Sequence, residues 1–130
     1  MAKTIIKKTT QHCVVAISGT GAETINISTE LLANDYEVVS SPKVNIRAIF
    51  WAVPTGNATI ARNSVTLWSL TGSDDMQFNG WNDNRENGTN IVITPPGGGG
   101  TVIVELIKVS GYGDLGHRNP LDATTTTAAP

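Results

Sequence analysis

No stretch of this 130-residue chain carries the 3.6-residue apolar recurrence with which a helix buries one face. The best helical candidate is Ser28-Thr29-Glu30-Leu31-Leu32-Ala33-Asn34, with Ser28 as N-cap and Leu31 and Leu32 facing inward. It offers only about two turns, too few to hold a core. What the chain has instead is apolar alternation with a period of two, cut at roughly ten-residue intervals by Gly, Pro and Asn. That rhythm confines the fold to strands.

Gln11 to Ser18 places Cys13, Val15 and Ile17 on one face, and Gly19-Thr20-Gly21 turns the chain. Glu23 to Ile27 aligns Ile25 with Ile27, and a short strand is expected around Tyr36 to Val39. Lys43 to Val53 is the clearest strand, with Val44, Ile46, Ala48, Phe50 and Ala52 on one face. Lys43, Asn45 and Arg47 begin the other face, and Ile49, Trp51 and Val53 continue it, so the strand enters a region covered on both sides. Pro54-Thr55-Gly56-Asn57 reads as a turn. Ala58 to Ala61 and Ser64 to Leu70 form a hairpin around Arg62-Asn63, and residues 71–90 read as a polar loop with Met76, Phe78 and Trp81 as anchors. Asn90 to Thr94 is a short strand. Pro95-Pro96-Gly97-Gly98-Gly99-Gly100 cannot lie inside one, and Thr101 to Val109 resumes with Val102, Val104 and Leu106 on one face.

The expected fold is therefore all-β: a single antiparallel β-sandwich or jelly roll of about eight short strands. A chain of 13.7 kDa can bury about two-thirds of its unfolded surface, enough for one core. Residues 1–10 form an N-terminal arm or edge strand, 11–110 the sandwich, and 111–130 an extended C-terminal arm ending in a Thr-rich tail. The N-terminal lysines are followed by Ile5 and Ile6 only, so no secretory signal is expected, and Ala48 to Val53 is far too short to span a membrane. The chain is expected to be made in a cytosol, which leaves the sequons at Asn26, Asn57 and Asn87 without a role.

Catalytic constellations fail one by one. His12 and Cys13 are adjacent on a strand and point to opposite faces, and Cys13 falls on the core side. His117 has no ligand at helical or turn spacing, so no metal ligands are expected; one cysteine makes no zinc cluster. Asn82-Asp83-Asn84-Arg85-Glu86-Asn87-Gly88 is oxygen-rich, but Arg85 stands where a calcium loop wants an oxygen, and a solvated loop is expected. No pair among Asp74, Asp75, Asp83 and Glu86 is singled out as an acid–base couple, and Asp74-Asp75 suit a turn. Gly97 to Gly100 is followed by a strand rather than by Gly-Lys-Ser/Thr and a helix, so it is a hairpin tip and not a phosphate loop. No catalytic residue, cofactor or small-molecule substrate is expected.

Charge narrows the partners. Charged residues are 15% of the chain and the net charge is −2, which draws in neither nucleic acid nor an anionic membrane. Lys3, Lys7 and Lys8 form the one basic cluster, without aromatic neighbours. Residues 1–62 carry +2 and residues 63–130 carry −4, a mild dipole that could align copies of the chain. Trp51 and Trp68 sit among apolar neighbours and read as packed. Trp81, between Gly80 and Asn82, has three readings: a core or loop anchor, an interface anchor, or a stacking platform for a sugar.

A low-charge, Thr-, Gly- and Asn-rich β-domain with extended ends at Ala2 to Thr10 and Gly111 to Pro120 resembles the small virion structural proteins of tailed bacteriophages. The likeness is to capsid decoration (cement) and head–tail accessory proteins. It implies a non-enzymatic subunit that stabilises a shell through contacts with copies of itself and with other virion proteins, foremost the major capsid protein. It places the chain in the virion, after synthesis in the host cytoplasm. Trp81, Tyr112, Leu115 and Arg118 are the expected interface residues. The Gly111–Pro120 segment either reaches a neighbour or wraps its own sandwich. A neck, tail or baseplate subunit and a carbohydrate-binding β-sandwich are the alternatives.

Overall fold

The structure is a computed structural model and describes residues 2–33, 37–78 and 82–114. Seven strands run in chain order: β1 (Ala2–Lys8), β2 (His12–Gly19), β3 (Glu23–Ile25), β4 (Glu37–Arg62), β5 (Val65–Gln77), β6 (Ile91–Thr94) and β7 (Gly100–Asp114). All pairings are antiparallel, in the order β1-β2-β7-β4-β6-β3, with β5 also on β4. There is no helix among the described residues. The 28–34 candidate is instead a turn over residues 27–30, organised by Asn26 rather than by Ser28. The Asn26 side chain accepts from the Ser28 N–H at 3.0 Å, its carbonyl accepts from Glu30 N–H at 2.9 Å, and the Glu30 carboxylate accepts from Asn26 N–H at 2.7 Å.

The sheet curls into a sandwich because β4 belongs to both of its layers. Residues 43–52 of β4 pair with β7, and residues 59–62 pair with β6. β5 follows β4 round the bend, so its Gly72–Gln77 half lies in the first layer and its Val65–Leu70 half in the second. The first layer is then β1-β2-β7-β4-β5 and the second β3-β6-β4-β5. The expected turn at Pro54–Asn57 is this bend: four residues of β4 stand opposite Thr71 alone, and pairing resumes at Ala58. The expected loop at 71–90 is corrected in its first third, where residues 71–77 are strand. An edge strand exposed on both faces shows no apolar alternation, which is why Gly72-Ser73-Asp74-Asp75 reads as loop.

A second irregularity decides what lies inside. Ile46 pairs with Leu106 and Ala48 with Glu105, so Arg47 is an extra residue, and side-chain parity reverses beyond it. Val44 and Ile46 are buried before this bulge, and Ile49 and Val53 after it. Phe50 and Ala52, expected inward with Val44, are turned outward instead. Cys13, Val15 and Ile17 on β2 and Val102, Val104 and Leu106 on β7 are buried as the alternation requires. They meet Ile25, Ile27, Leu31, Ala58, Ile60, Ile91 and Ile93 from the second layer in one core. Each Ile, Leu or Val so buried contributes about 1.5–3 kcal/mol.

The side of the sandwich between the edge strands β1 and β3 is closed by side chains. Lys3 on β1 reaches across to Glu30 at 2.6 Å and to the Thr24 carbonyl at 2.8 Å. β7 continues to Asp114, past the expected boundary at residue 110. This continuation depends on Gly111, with φ of +83° opposite the Ser40-Ser41-Pro42 bulge. A Cβ at Gly111 would stand 2.5 Å from the Ser41 carbonyl oxygen and 2.7 Å from that of Ser40. Backbone cannot retreat as a side-chain tip can, so Gly111→Ala should cost more than about 2 kcal/mol. Urea titration of the two proteins would show it as a lower midpoint, and an unchanged midpoint would refute this account of β7.

Candidate functional site

Three polar constructions and one apolar surface carry the chemistry of the molecule. The first is Arg62, which is fully buried. The hairpin tip is Asn63–Ser64, both with positive φ, one residue later than expected. Arg62 therefore ends β4 on the inward face already occupied by Ala58 and Ile60. Its guanidinium donates to the carbonyls of Val44 at 2.6 Å, Asn87 at 3.0 Å and Thr89 at 2.7 and 3.2 Å. Burial lowers its pKa to about 10, with the carboxylates of Asp83 and Glu86 acting against that, so it stays cationic at neutral pH. It is a clamp that fastens the 86–89 turn to both halves of β4.

The second is the Asp83 cluster. The loop expected to be solvated instead buries Asp83 to 3% exposure, where its backbone exchanges two hydrogen bonds with Ile46 at 2.9 and 3.1 Å. Its carboxylate accepts from Trp68 Nε1 at 2.6 Å and from Arg85 Nε, Nη2 and N–H at 3.0, 2.7 and 3.1 Å. Arg85 also lies over the Trp68 ring, 5.2 Å from its centroid, and Trp68 stacks on Phe78 at 5.6 Å. Burial pushes the Asp83 carboxyl up, but the Arg85 and Trp68 hydrogen bonds outweigh it and hold the group below the usual carboxylate range. All of its bonding partners are fixed, so it braces the loop and is not an acid–base group waiting for substrate.

The third lies on the outer face of the first layer. Arg47, the bulge residue, reaches His12 Nε2 at 3.1 Å and Glu105 at 3.2 Å. Cys13 points the other way, into the core. Among the described residues no three His, Cys, Asp or Glu side chains come together as a metal site would require.

Beside this ion pair the outer face is apolar at its centre. Register places Thr4, Ala16, Ile103, Phe50 and Asp75 in one row across all five strands. The row below runs Lys7, Val14, Glu105, Ala48 and Gln77, and the row above runs Ala2, Ser18, Thr101, Ala52 and Ser73. Val14, Ala16, Ile103 and Phe50 are each partly open to solvent. Phe50 is here because of the Arg47 bulge, and the sequence carried no sign of that shift.

Of the expected interface residues, Trp81, Leu115 and Arg118 lie outside the described residues. Tyr112 is described: it is partly buried against the core, its hydroxyl donates to the Ile27 carbonyl, and the Lys108 ammonium lies 4.6 Å from its ring centroid. Trp51 and Trp68 both pack against the core, and Trp51 Nε1 donates to the Thr71 carbonyl at 2.9 Å.

No family model and no curated protein matches this chain. A solved structure of a cupin superfamily protein from Desulfitobacterium hafniense DCB-2 aligns with a TM-score of 0.38 and 9% identity. The alignment covers 84% of this chain and 77% of that one.

Two outcomes test the braces. Arg62→Ala leaves the Thr89 carbonyl without its donor and opens a cavity, and should cost about 2–4 kcal/mol in a denaturation midpoint. Arg62→Lys, which cannot span three carbonyls, should recover only part of it. Because the Asp83 pKa is depressed on folding, its stabilisation is full at neutral pH and fades as pH falls below about 4. Asp83→Asn should therefore be less stable than the parent at pH 7, by about 1–3 kcal/mol, with the gap closing toward pH 3. A gap that stays constant with pH would show that the charge of Asp83 is not what matters.

Proposed function

We propose that this chain is a non-enzymatic structural subunit of a larger protein assembly, and that the assembly is a tailed-phage virion in which it serves as a capsid decoration protein. The observation that carries the structural reading is the outer face of the first layer, where Ala16, Ile103 and Phe50 form an apolar row across its three inner strands. An apolar centre with a polar margin is how a protein contact is built. The polar clusters support the same reading. Arg62 and Asp83 have their hydrogen-bonding capacity taken up by their own chain, which suits rigidity rather than turnover. The virion itself is supported by the sequence likeness described above. A rigid small body repeated over a shell turns weak contacts into strong retention.

The carbohydrate alternative needs exposed aromatic rings side by side. Trp51 and Trp68 are partly buried against the core, and Trp81, the residue on which that alternative rests, lies outside the described residues.

The test is co-sedimentation of the full chain with shells assembled from the virion's major capsid protein. Saturable binding, and a higher melting temperature of the decorated shell, are the expected results. Absence of binding to shells and to the isolated neck and tail parts, together with conversion of a small molecule by the purified chain, would overturn the proposal.

A further inference from the structure

The outer face of the first layer has a feature that the assembly reading does not require: its two edges carry opposite charge. β7 is the middle of five strands. On β1, at one edge, Lys7 pairs with Val14 and shares the outer face with it. On β5, at the other edge, Asp75 pairs with Phe50 and accepts from the Gln77 side chain at 3.2 Å. Both charged residues are exposed, and the apolar row lies between them.

We propose that this face is a contact between two copies of the chain, packed face to face about a two-fold axis that runs along β7. The proposal rests on the structural-subunit reading and names one partner of that surface. The axis follows from the charges. A two-fold along the strands turns one face onto the other and reverses strand order, so β1 of each copy covers β5 of the other. A two-fold across the strands would set β1 on β1 and β5 on β5, bringing lysine to lysine and aspartate to aspartate.

The register adds shape to charge. With β7 on the axis, Ile103 meets its own copy at the centre, and Glu105, one row below, comes opposite the partner's Glu105, the charge of each offset by the Arg47 of its own chain at 3.2 Å. Phe50 on β4 then lies over the partner's Ala16 on β2, a large side chain against a small one. At the edges Asp75 stands over the partner's Thr4, and Lys7 stands over the partner's Gln77. Gln77 is two residues from Asp75, about 7 Å along the strand, so the Lys7 ammonium reaches the partner's Asp75. The Arg47–Glu105–His12 group bounds the apolar patch at one end. Five strands and three to four residue rows hide about 1,000 Å² in total when two sheets close to about 10 Å, which is at the small end for a specific contact. The dimer is therefore weak in solution, with dissociation in the micromolar range or above, and gains strength where copies are already held near one another.

Analytical ultracentrifugation of the full chain, from about 1 µM to about 1 mM, tests it. The expected result is a monomer–dimer equilibrium with nothing larger. Lys7→Glu and Asp75→Lys should each weaken the dimer about tenfold, since each single change turns two attractions into two repulsions. The double variant Lys7→Glu/Asp75→Lys should return to the parent value, and the parent should weaken with added salt. Ile103→Lys sets two ammonium groups on the axis and should leave only monomer. Melting curves of all four variants should stay near that of the parent, because these positions face outward. A chain that remains monomeric to 1 mM overturns the contact, as does a double variant no tighter than the singles. Growth beyond the dimer with concentration overturns the closed two-fold. Shell binding by a strictly monomeric chain would sink this contact and leave the structural-subunit reading standing. Loss of shell binding by a chain that still dimerises would do the reverse.

Discussion

β4 is the constraint on which everything else in this molecule depends. One strand of 26 residues runs up the first layer, bends at residues 54–57 and returns down the second. A strand that passes through both layers fixes their separation and their order, because each half recruits its own neighbours by hydrogen bonding. The first half takes β7 and the second takes β6. Its return brings Arg62 back beside Val44, where the strand's two halves are joined by a single guanidinium. Any change in the length of the bend would move Arg62 out of reach of that carbonyl.

The two ends of the sandwich are held by different physics. At the Arg62 end, polar groups do the fastening: Arg62 holds the 86–89 turn, Asn90 accepts from the Ile27 N–H at 3.0 Å, and Tyr112 bonds the Ile27 carbonyl. At the bend end, close approach does it. A Cβ at Gly98 would stand 2.5 Å from the Thr55 hydroxyl, and one at Gly56 would stand 2.9 Å from Pro96. The run Pro95–Gly100, read from sequence as a hairpin tip, is thus also a packing surface for the bend, and its glycines are explained by contact as well as by turning.

Alternation made the framework legible. Cys13, Val15 and Ile17, and Val102, Val104 and Leu106, are apolar at every second position, and the structure buries all six. Alternation misleads wherever an extra residue enters a strand. Nothing in the residues around Arg47 announces a bulge, yet that one residue exchanges the faces of Phe50 and Ile49. Arg62 was missed for a related reason: a hairpin tip placed one residue early put it in the turn, although its spacing from Ala58 and Ile60 places it on the inward face. Asp83 was missed because burial of a carboxylate is decided by partners distant in sequence. Trp68 is one such partner, and Ile46, which pairs with its backbone, is another. The polar half of β5 was missed because an edge strand open to solvent on both faces has no apolar side to show.

The edges of the sheet bear on why the proposed association uses a face. An edge strand presents unpaired N–H and C=O groups, and copies of a chain can add to it without limit. Here β1 carries a bulge at Ile6 and ends in Lys7 and Lys8, while β5 has Leu67 as an extra residue and Gly72, Asp74 and Asp75 along its first-layer half. Bulges break the register that an incoming strand would need, and like charges repel a second copy of the same edge. β3, the remaining edge, is three residues long and is tied to β1 through Lys3. With each edge blunted, the apolar centre of the first layer is the surface among the described residues on which the proposed partner would settle. The lysines and aspartates that guard the edges also give that surface its polarity. In the proposed contact, the charges that blunt the edges would thereby also set the orientation of the partner.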